Sequence, residues 1–198
     1  MSTKIKAQLQ QLLSQEQGAV VREWGARFPV ALVYPQVYAV GMGNLGFQTI
    51  YHLLNAHPGF VCERAFLPSP EEAEEHRRTR TPILSLESQR PLREFAAVAF
   101  SISFEADYPY VLDLLAGAGI PLRAAERGPG DPLVLAGGVA TSSGNRTSIQ
   151  HRPNRAGRSQ AGTAAPRGER PSILCPQLRS QSDPLSYFGI LVESLVPV

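Results

Sequence analysis

Residues 28–55 read FPVALVYPQVYAVGMGNLGFQTIYHLLN. Three signals follow one another in that stretch. Residues 30–34 form a short unbroken apolar run stopped by Pro35. That is the pattern of a strand buried on both faces of a parallel sheet. The glycine-rich segment GMGNLG follows, with Gly41, Gly43 and Gly46 in G-x-G-x-x-G spacing. Phe47, Ile50, Tyr51 and Leu54 then recur at i, i+3, i+4 and i+7, one face of a helix, and Asn44 is placed to cap it. Pro58-Gly59 ends that helix.

Working outward, the same alternation repeats. Residues 60–67 are strand-like, and Ser69-Pro70-Glu71-Glu72 opens a helix with a cap, a proline in the first turn and acids at the positive end of the dipole. Arg77, Arg78 and Arg80 sit at its other end. It has no apolar stripe, which places it on the surface. Residues 96–104 (AAVAFSISF) are a strand; Asp107 and Pro109 open a helix with Tyr108, Val111, Leu112 and Leu115 on one face, closed by Gly117 and Gly119. Residues 121–123 suggest a short strand, and residues 132–136 a further one ending in Gly137-Gly138. Upstream, Ile5, Leu9, Leu12 and Leu13 mark an amphipathic helix capped by Ser2 or Thr3 and ended by Gly18. Strands alternating with helices predict an α/β fold, an open parallel sheet whose ligands bind beyond the carboxyl ends of the strands.

The chain has 198 residues, 43% of them apolar, enough for one ordinary domain of about 100–200 residues. Its net charge of +2 calls for neither a nucleic-acid nor a membrane partner. No apolar run approaches the roughly 18 residues that span a bilayer, and Lys4 and Lys6 break the N-terminal stretch, so it is not a signal sequence. Two cysteines, Cys62 and Cys175, make no disulfide framework. A cytoplasmic protein is expected, with a small-molecule cofactor as its partner and no protein partner indicated. The averages conceal a seam. The first 140 residues hold 12 basic and 14 acidic residues; the last 58 hold 7 basic, all Arg, and 3 acidic. Ser, Gly, Pro, Gln and Arg supply 31 of those 58 positions, a composition that buries too little apolar surface to offset ordering. The expected organisation is a helical lead-in over 1–26, an α/β module over 27–140 and a disordered tail over 141–198.

Several residues invite a chemical reading. GMGNLG admits a dinucleotide, yet six residues separate Tyr34 from Gly41, whereas a pyrophosphate loop follows its strand almost at once. No acid ends the second strand in the ribose-binding position; Arg64 stands there, with Glu63 nearby. The same glycines also suit close backbone packing, or space for a large flat ligand. Ser101 and Ser103 end one strand and Gly137-Gly138 another, on the same edge as GMGNLG. Three small-residue sites on three strand ends outline one groove; turn glycines and satisfied strand-end hydroxyls account for them equally well. His52 and His57 lack metal-ligand spacing, Asp107 reads as a helix cap, Glu105 lies nearby at the strand end, and Cys62 reads as core.

Residues 28–55, together with RPLREFAAVAFSISFEADYPYVLDLLAGAGIPLRAAER (90–127) and GDPLVLAGG (130–138), resemble the cobalamin-binding-type N-terminal domain of radical SAM proteins. The resemblance covers residues 27–140 and implies a flavodoxin-like sheet at the front of a longer protein. In related cobalamin modules the nucleotide tail of the cofactor slots into the sheet past a Ser-x-Leu strand end and a Gly-Gly turn. Ser101, Ser103, Gly137 and Gly138 stand in those places, with Gly41, Gly43, Asn44 and Gly46 on the neighbouring loop. Ile102 and Ser103 depart from the strict form. The Asp-x-His-x-x-Gly segment that supplies an axial histidine is missing; only Gly46 survives at its end, with Asn44 two before it. A bound cobalamin would therefore lack a protein histidine on cobalt.

Radical SAM chemistry also needs Cys-x₃-Cys-x₂-Cys, because three thiolates hold three irons of a [4Fe–4S] cluster and leave the fourth open for S-adenosylmethionine. This sequence has no such motif, so the cluster and S-adenosylmethionine belong to the parent family. The expected function is that of the cobalamin-binding-type module without its barrel; the alternatives are a nucleotide-binding α/β protein using GMGNLG, or a nonfunctional fragment. The resemblance stops at the composition seam, and the expectation is a loss of reading frame near residues 140–144, which would make the tail an out-of-frame translation. The module would then lack its last strand or strands. Resequencing the source DNA through codons 130–200 is expected to restore an in-frame continuation carrying the three cysteines; tail peptides recovered by mass spectrometry from a confirmed frame would contradict that.

Overall fold

The computed structural model describes residues 1–143. Helix α1 (Thr3–Ser14) leads into β1 (Phe28–Tyr34), the short helix α2 (Tyr38–Met42), α3 (Leu45–Ala56) and β2 (Phe60–Phe66). Helix α4 (Pro70–Thr79), β3 (Ala97–Ser101), α5 (Tyr108–Gly117), β4 (Leu133–Gly137) and α6 (Val139–Ser143) follow. The four strands are all parallel in the order β2-β1-β3-β4. These are the first four places of the flavodoxin-like order, in which a fifth strand would follow β4. The expected α/β class and open parallel sheet are what is observed. The expected tail, 141–198, falls outside the described residues except at 141–143, which are helical as the end of α6 and not disordered.

Burial explains why β1 takes the centre. Ala31, Leu32 and Val33 are each fully buried, so both faces of this strand must be covered. Val30, Leu32 and Tyr34 meet Phe47, Tyr51 and Leu54 of α3 on one face. Ala31 and Val33 share the other with Val98, Phe100 and the α5 residues Val111, Leu114 and Leu115. The sequence reading set Leu112 on that inner face, but it is exposed and Leu114 takes the place. Both leucines fall near an apolar stripe, and the rotation of α5 on the sheet decides between them. Residues 121–123 form no strand; a 3₁₀ turn, Ala124–Glu126, follows them. Helix α1 ends at Ser14 with Gln15 as its cap, so Gly18, at φ +86°, belongs to the turn beyond it.

The lead-in is tied to the module at five places, one of them the Arg22 guanidinium donating to the Asn55 carbonyl at 2.7 Å. The Ser2 side chain caps α1 and donates to Glu75 of α4 at 2.8 Å, while its backbone N–H donates to Thr81 at 2.7 Å. The Val20 N–H donates to the Tyr51 hydroxyl, and Trp24 donates to Glu63 and stacks near Phe95. The remaining tie is ionic. Arg64 on β2, almost fully buried, lies 2.7 Å from Glu16 and 2.7 Å from Glu87, with its guanidinium 4.4 Å over the Tyr51 ring. Burial opposes the charge on Arg64, but the Glu87 carboxylate together with Tyr51 and Glu16 outweighs it and raises the guanidinium further above its ordinary range. Glu16 also accepts from the Tyr38 hydroxyl, and burial with that bond pushes Tyr38 up to about 12.

Removing one member of a buried pair strands the other charge. Arg64→Met is therefore expected to lower the unfolding free energy by about 3–5 kcal/mol in denaturant titration, with Arg64→Met/Glu87→Leu recovering most of the loss. A single substitution without measurable effect would contradict the clamp.

Candidate functional site

In a parallel sheet every strand delivers its carboxyl end to the same edge, and here that edge gathers all the small-residue segments singled out above. β1 is followed by the glycine segment, β3 by Ile102 to Asp107, and β4 by Gly138. Ser101 lies opposite Gly137 in the β3–β4 register.

GMGNLG is not an open loop. Gly41 is buried within α2, where a Cβ would lie 2.6 Å from the Phe66 ring and 3.2 Å from the Tyr34 Cβ. Gly43 ends α2 in ordinary right-handed geometry, and Gly46 sits in the first turn of α3. Asn44 caps α3 as expected: its Oδ1 accepts from the Phe47 N–H at 2.9 Å. Its amide does more, donating to the Tyr34 hydroxyl at 3.3 Å and to Ser103 Oγ at 3.1 Å. The Tyr34 hydroxyl in turn donates to Ser103 Oγ at 3.1 Å. One bridge thus joins the end of β1, the start of α3 and the segment after β3. In the sequence, the place of Tyr34 at the last position of an apolar run marks it only as core.

The Gly-Gly turn is equally committed. Gly138 has φ +118°, and a Cβ there would fall 2.2 Å from the Ile102 carbonyl oxygen. The Ile102 N–H donates to the Gly137 carbonyl at 2.7 Å, and the Ala140 N–H to the Ile102 carbonyl at 3.3 Å. β3 and the β4 turn are therefore zipped together by backbone. Ser101 is buried at the last place of β3 and its hydroxyl has no hydrogen bond among the described residues. The structure thus brings Asn44 and Ser103 into contact, sets Ser101 beside Gly137 and Gly138, and turns Gly41 inward against Phe66.

Other candidates find structural employment. Asp107 makes no side-chain cap for α5; it is buried, its Oδ1 accepts from Gln36 at 2.8 Å, and its Oδ2 has no partner among the described residues. Glu63 is buried in mid-β2, accepting from Trp24 and Ser88, and is not presented for a ribose. His57 Nδ1 accepts from the Gly59 N–H, His76 lies 2.9 Å from the Thr81 carbonyl, and His52 is exposed. Cys62 is core, and burial pushes its thiol well up. Among the described residues no three His, Cys, Asp or Glu gather as a metal site, and no helix is long and apolar enough to cross a membrane.

Around the edge stands an apolar rim. Val40 and Leu45 follow β1, Phe104 follows β3, and Val139 follows β4, with exposures of 49, 78, 63 and 73%. Four of the six most exposed large apolar side chains of the described residues lie here; Met1 and Val21 are the others.

A sequence profile described as "Radical SAM proteins, N-terminal" matches residues 46–149, just over half of the chain. The chain belongs to this family. No curated protein and no solved structure matches it. The matched span starts inside the glycine segment and runs past the composition seam at residue 140 to residue 149. Radical SAM chemistry requires an iron–sulfur cluster on three thiolates; this radical SAM N-terminal domain has Cys62 locked in its core and one other cysteine, Cys175, outside the described residues, so its residues do not fit that cluster.

Two of the small-residue positions are explained by internal packing, and this is testable. Gly41→Ala and Gly138→Ala are each expected to destabilise the fold by about 1–3 kcal/mol, since overpacking and left-handed backbone both carry costs of that order. Unchanged stability in denaturant titration would mean that the missing side chains leave room for a ligand instead.

Proposed function

We propose that this chain is the N-terminal, non-catalytic module of a radical SAM protein, and that its carboxyl edge receives a flat corrinoid cofactor of the cobalamin type. The observation that carries the reading is the apolar rim. Four strongly exposed apolar side chains, Val40, Leu45, Phe104 and Val139, stand on the segments that follow three adjacent strands. Exposed apolar groups gathered in one place mark a binding surface rather than ordinary scatter. One polar side chain beside them suits the amide fringe of a corrin ring: the Ser101 hydroxyl, which has no hydrogen bond among the described residues. Gly43 and Gly46 add no side chains that would stand above the rim.

A corrinoid supplies a cobalt centre able to carry an alkyl group. This chain's part would be to seat and orient the ring, with the apolar side chains of Phe104 and Leu45 keeping water from the edge. The three described histidines are held elsewhere: His57 is at the far end of α3, His76 is on α4, and His52 is on the middle of α3. None of them is offered to cobalt from the rim. Catalysis by the iron–sulfur cluster and S-adenosylmethionine is assigned to the barrel of the parent family.

Titration of the full chain with hydroxocobalamin is expected to give a saturable change in visible absorbance. Phe104→Asp, at an exposed position, is expected to weaken binding by at least about tenfold, the equivalent of 1.4 kcal/mol, with an unchanged circular dichroism spectrum. Absence of saturation at millimolar cofactor would overturn the reading.

A further inference from the structure

We infer that the edge accepts the corrin ring but excludes the nucleotide tail, because the cleft into which a tail would thread is shut from within. The inference rests on the corrinoid reading above and concerns the depth of the same site.

A tail passing into the sheet on the α3 side must run between the start of α3 and the ends of β1 and β3. That space holds the Tyr34–Asn44–Ser103 bridge. Its three polar side chains partner one another at 3.1–3.3 Å, and Asn44 is pinned a second time by the Phe47 N–H. Beneath the bridge the Tyr34 ring is 2% exposed and meets Phe47 edge-on at 5.5 Å. Phe47 is fully buried and lies 5.5 Å from Phe66, which fills the space over Gly41. Admitting an aromatic base here would break three hydrogen bonds and expel a buried tyrosine ring. A packed interior has no slack of that size.

The β4 side is closed as well. A Gly-Gly turn can make room for a ligand only if the volume freed at the glycine stays empty. At Gly138 it is filled by the Ile102 carbonyl, 2.2 Å from where a Cβ would stand, and the Ala140 N–H fastens the same carbonyl. Glycine at this position lets two backbones approach one another. The residues that match a tail-binding pattern in sequence are thus consumed by contacts within the chain. Ser101 and the rim remain for the ring.

The test uses three probes on the full chain. The first is hydroxocobalamin against aquocobinamide, the corrinoid without its nucleotide tail. Equal affinity within about threefold is expected; cobalamin binding about thirtyfold or more tighter, the factor expected from burying an aromatic group, would overturn the inference. The second is the electron paramagnetic resonance of bound cob(II)alamin. Nitrogen splitting from the cofactor's own benzimidazole is expected to persist, since a tail outside the protein stays on cobalt; its loss on binding would overturn the inference. The third is α-ribazole, the nucleoside of the tail alone, followed by saturation-transfer NMR. No binding at millimolar concentration is expected, and saturable binding would overturn the inference. If neither corrinoid binds, the proposed function falls, while α-ribazole still decides whether the cleft is closed.

Discussion

Burial of β1 from Val30 to Tyr34 is the constraint on which the rest of the domain depends. A strand with no exposed residue from Val30 to Tyr34 needs neighbours on both edges and layers on both faces. β2 and β3 take the edges, and α3 and α5 take the faces. Because the crossovers are parallel, all the loops that end strands collect on one side. The rim, the bridge and the Gly-Gly turn share an edge for that reason. The last residue of β1 is Tyr34, so the strand that organises the core also supplies the hydroxyl at the mouth of the candidate site.

A second consequence concerns the N-terminal segment. Arg64 sits on β2 against Tyr51 of α3, where its side chain is almost fully buried. Glu87 reaches it from the loop before β3, and Glu16 from the segment after α1. The lead-in therefore supplies part of the balance for a charge inside the module. Tyr38, between Glu16 and Phe66, extends that contact toward the glycine segment. The ionic clamp and the candidate site thus share α2 as a common wall.

Elements governed by local pattern were legible in the sequence: the apolar run of β1, the Asn44 cap, the Ser69 cap of α4, and the parallel alternation itself. What escaped depends on groups far apart in the chain. Arg64 and Glu87 are 23 residues apart, and Tyr34 and Ser103 are 69 apart. No periodicity announces such pairs. Leu114 displaced Leu112 from the core because tertiary packing sets the rotation of α5. Asp107 has the residue type of a cap, but its carboxylate turned to Gln36 instead. The glycines were visible, while their use was not: the sequence pattern is the same whether a ligand or a neighbouring backbone occupies the space. The Ile102 carbonyl over Gly138 and the Phe66 ring over Gly41 resolve that ambiguity.

The most direct measurement of this account is a nuclear Overhauser spectrum of the free protein, with the side chains of Tyr34, Asn44 and Ser103 assigned. Cross-peaks from the Tyr34 ring and the Asn44 side-chain amide to the Ser103 β protons are predicted, together with an Asn44 amide slow to exchange with solvent. Their absence, with a freely exchanging amide and a Tyr34 ring turned from Ser103, would show an open cleft at the carboxyl edge and contradict the account.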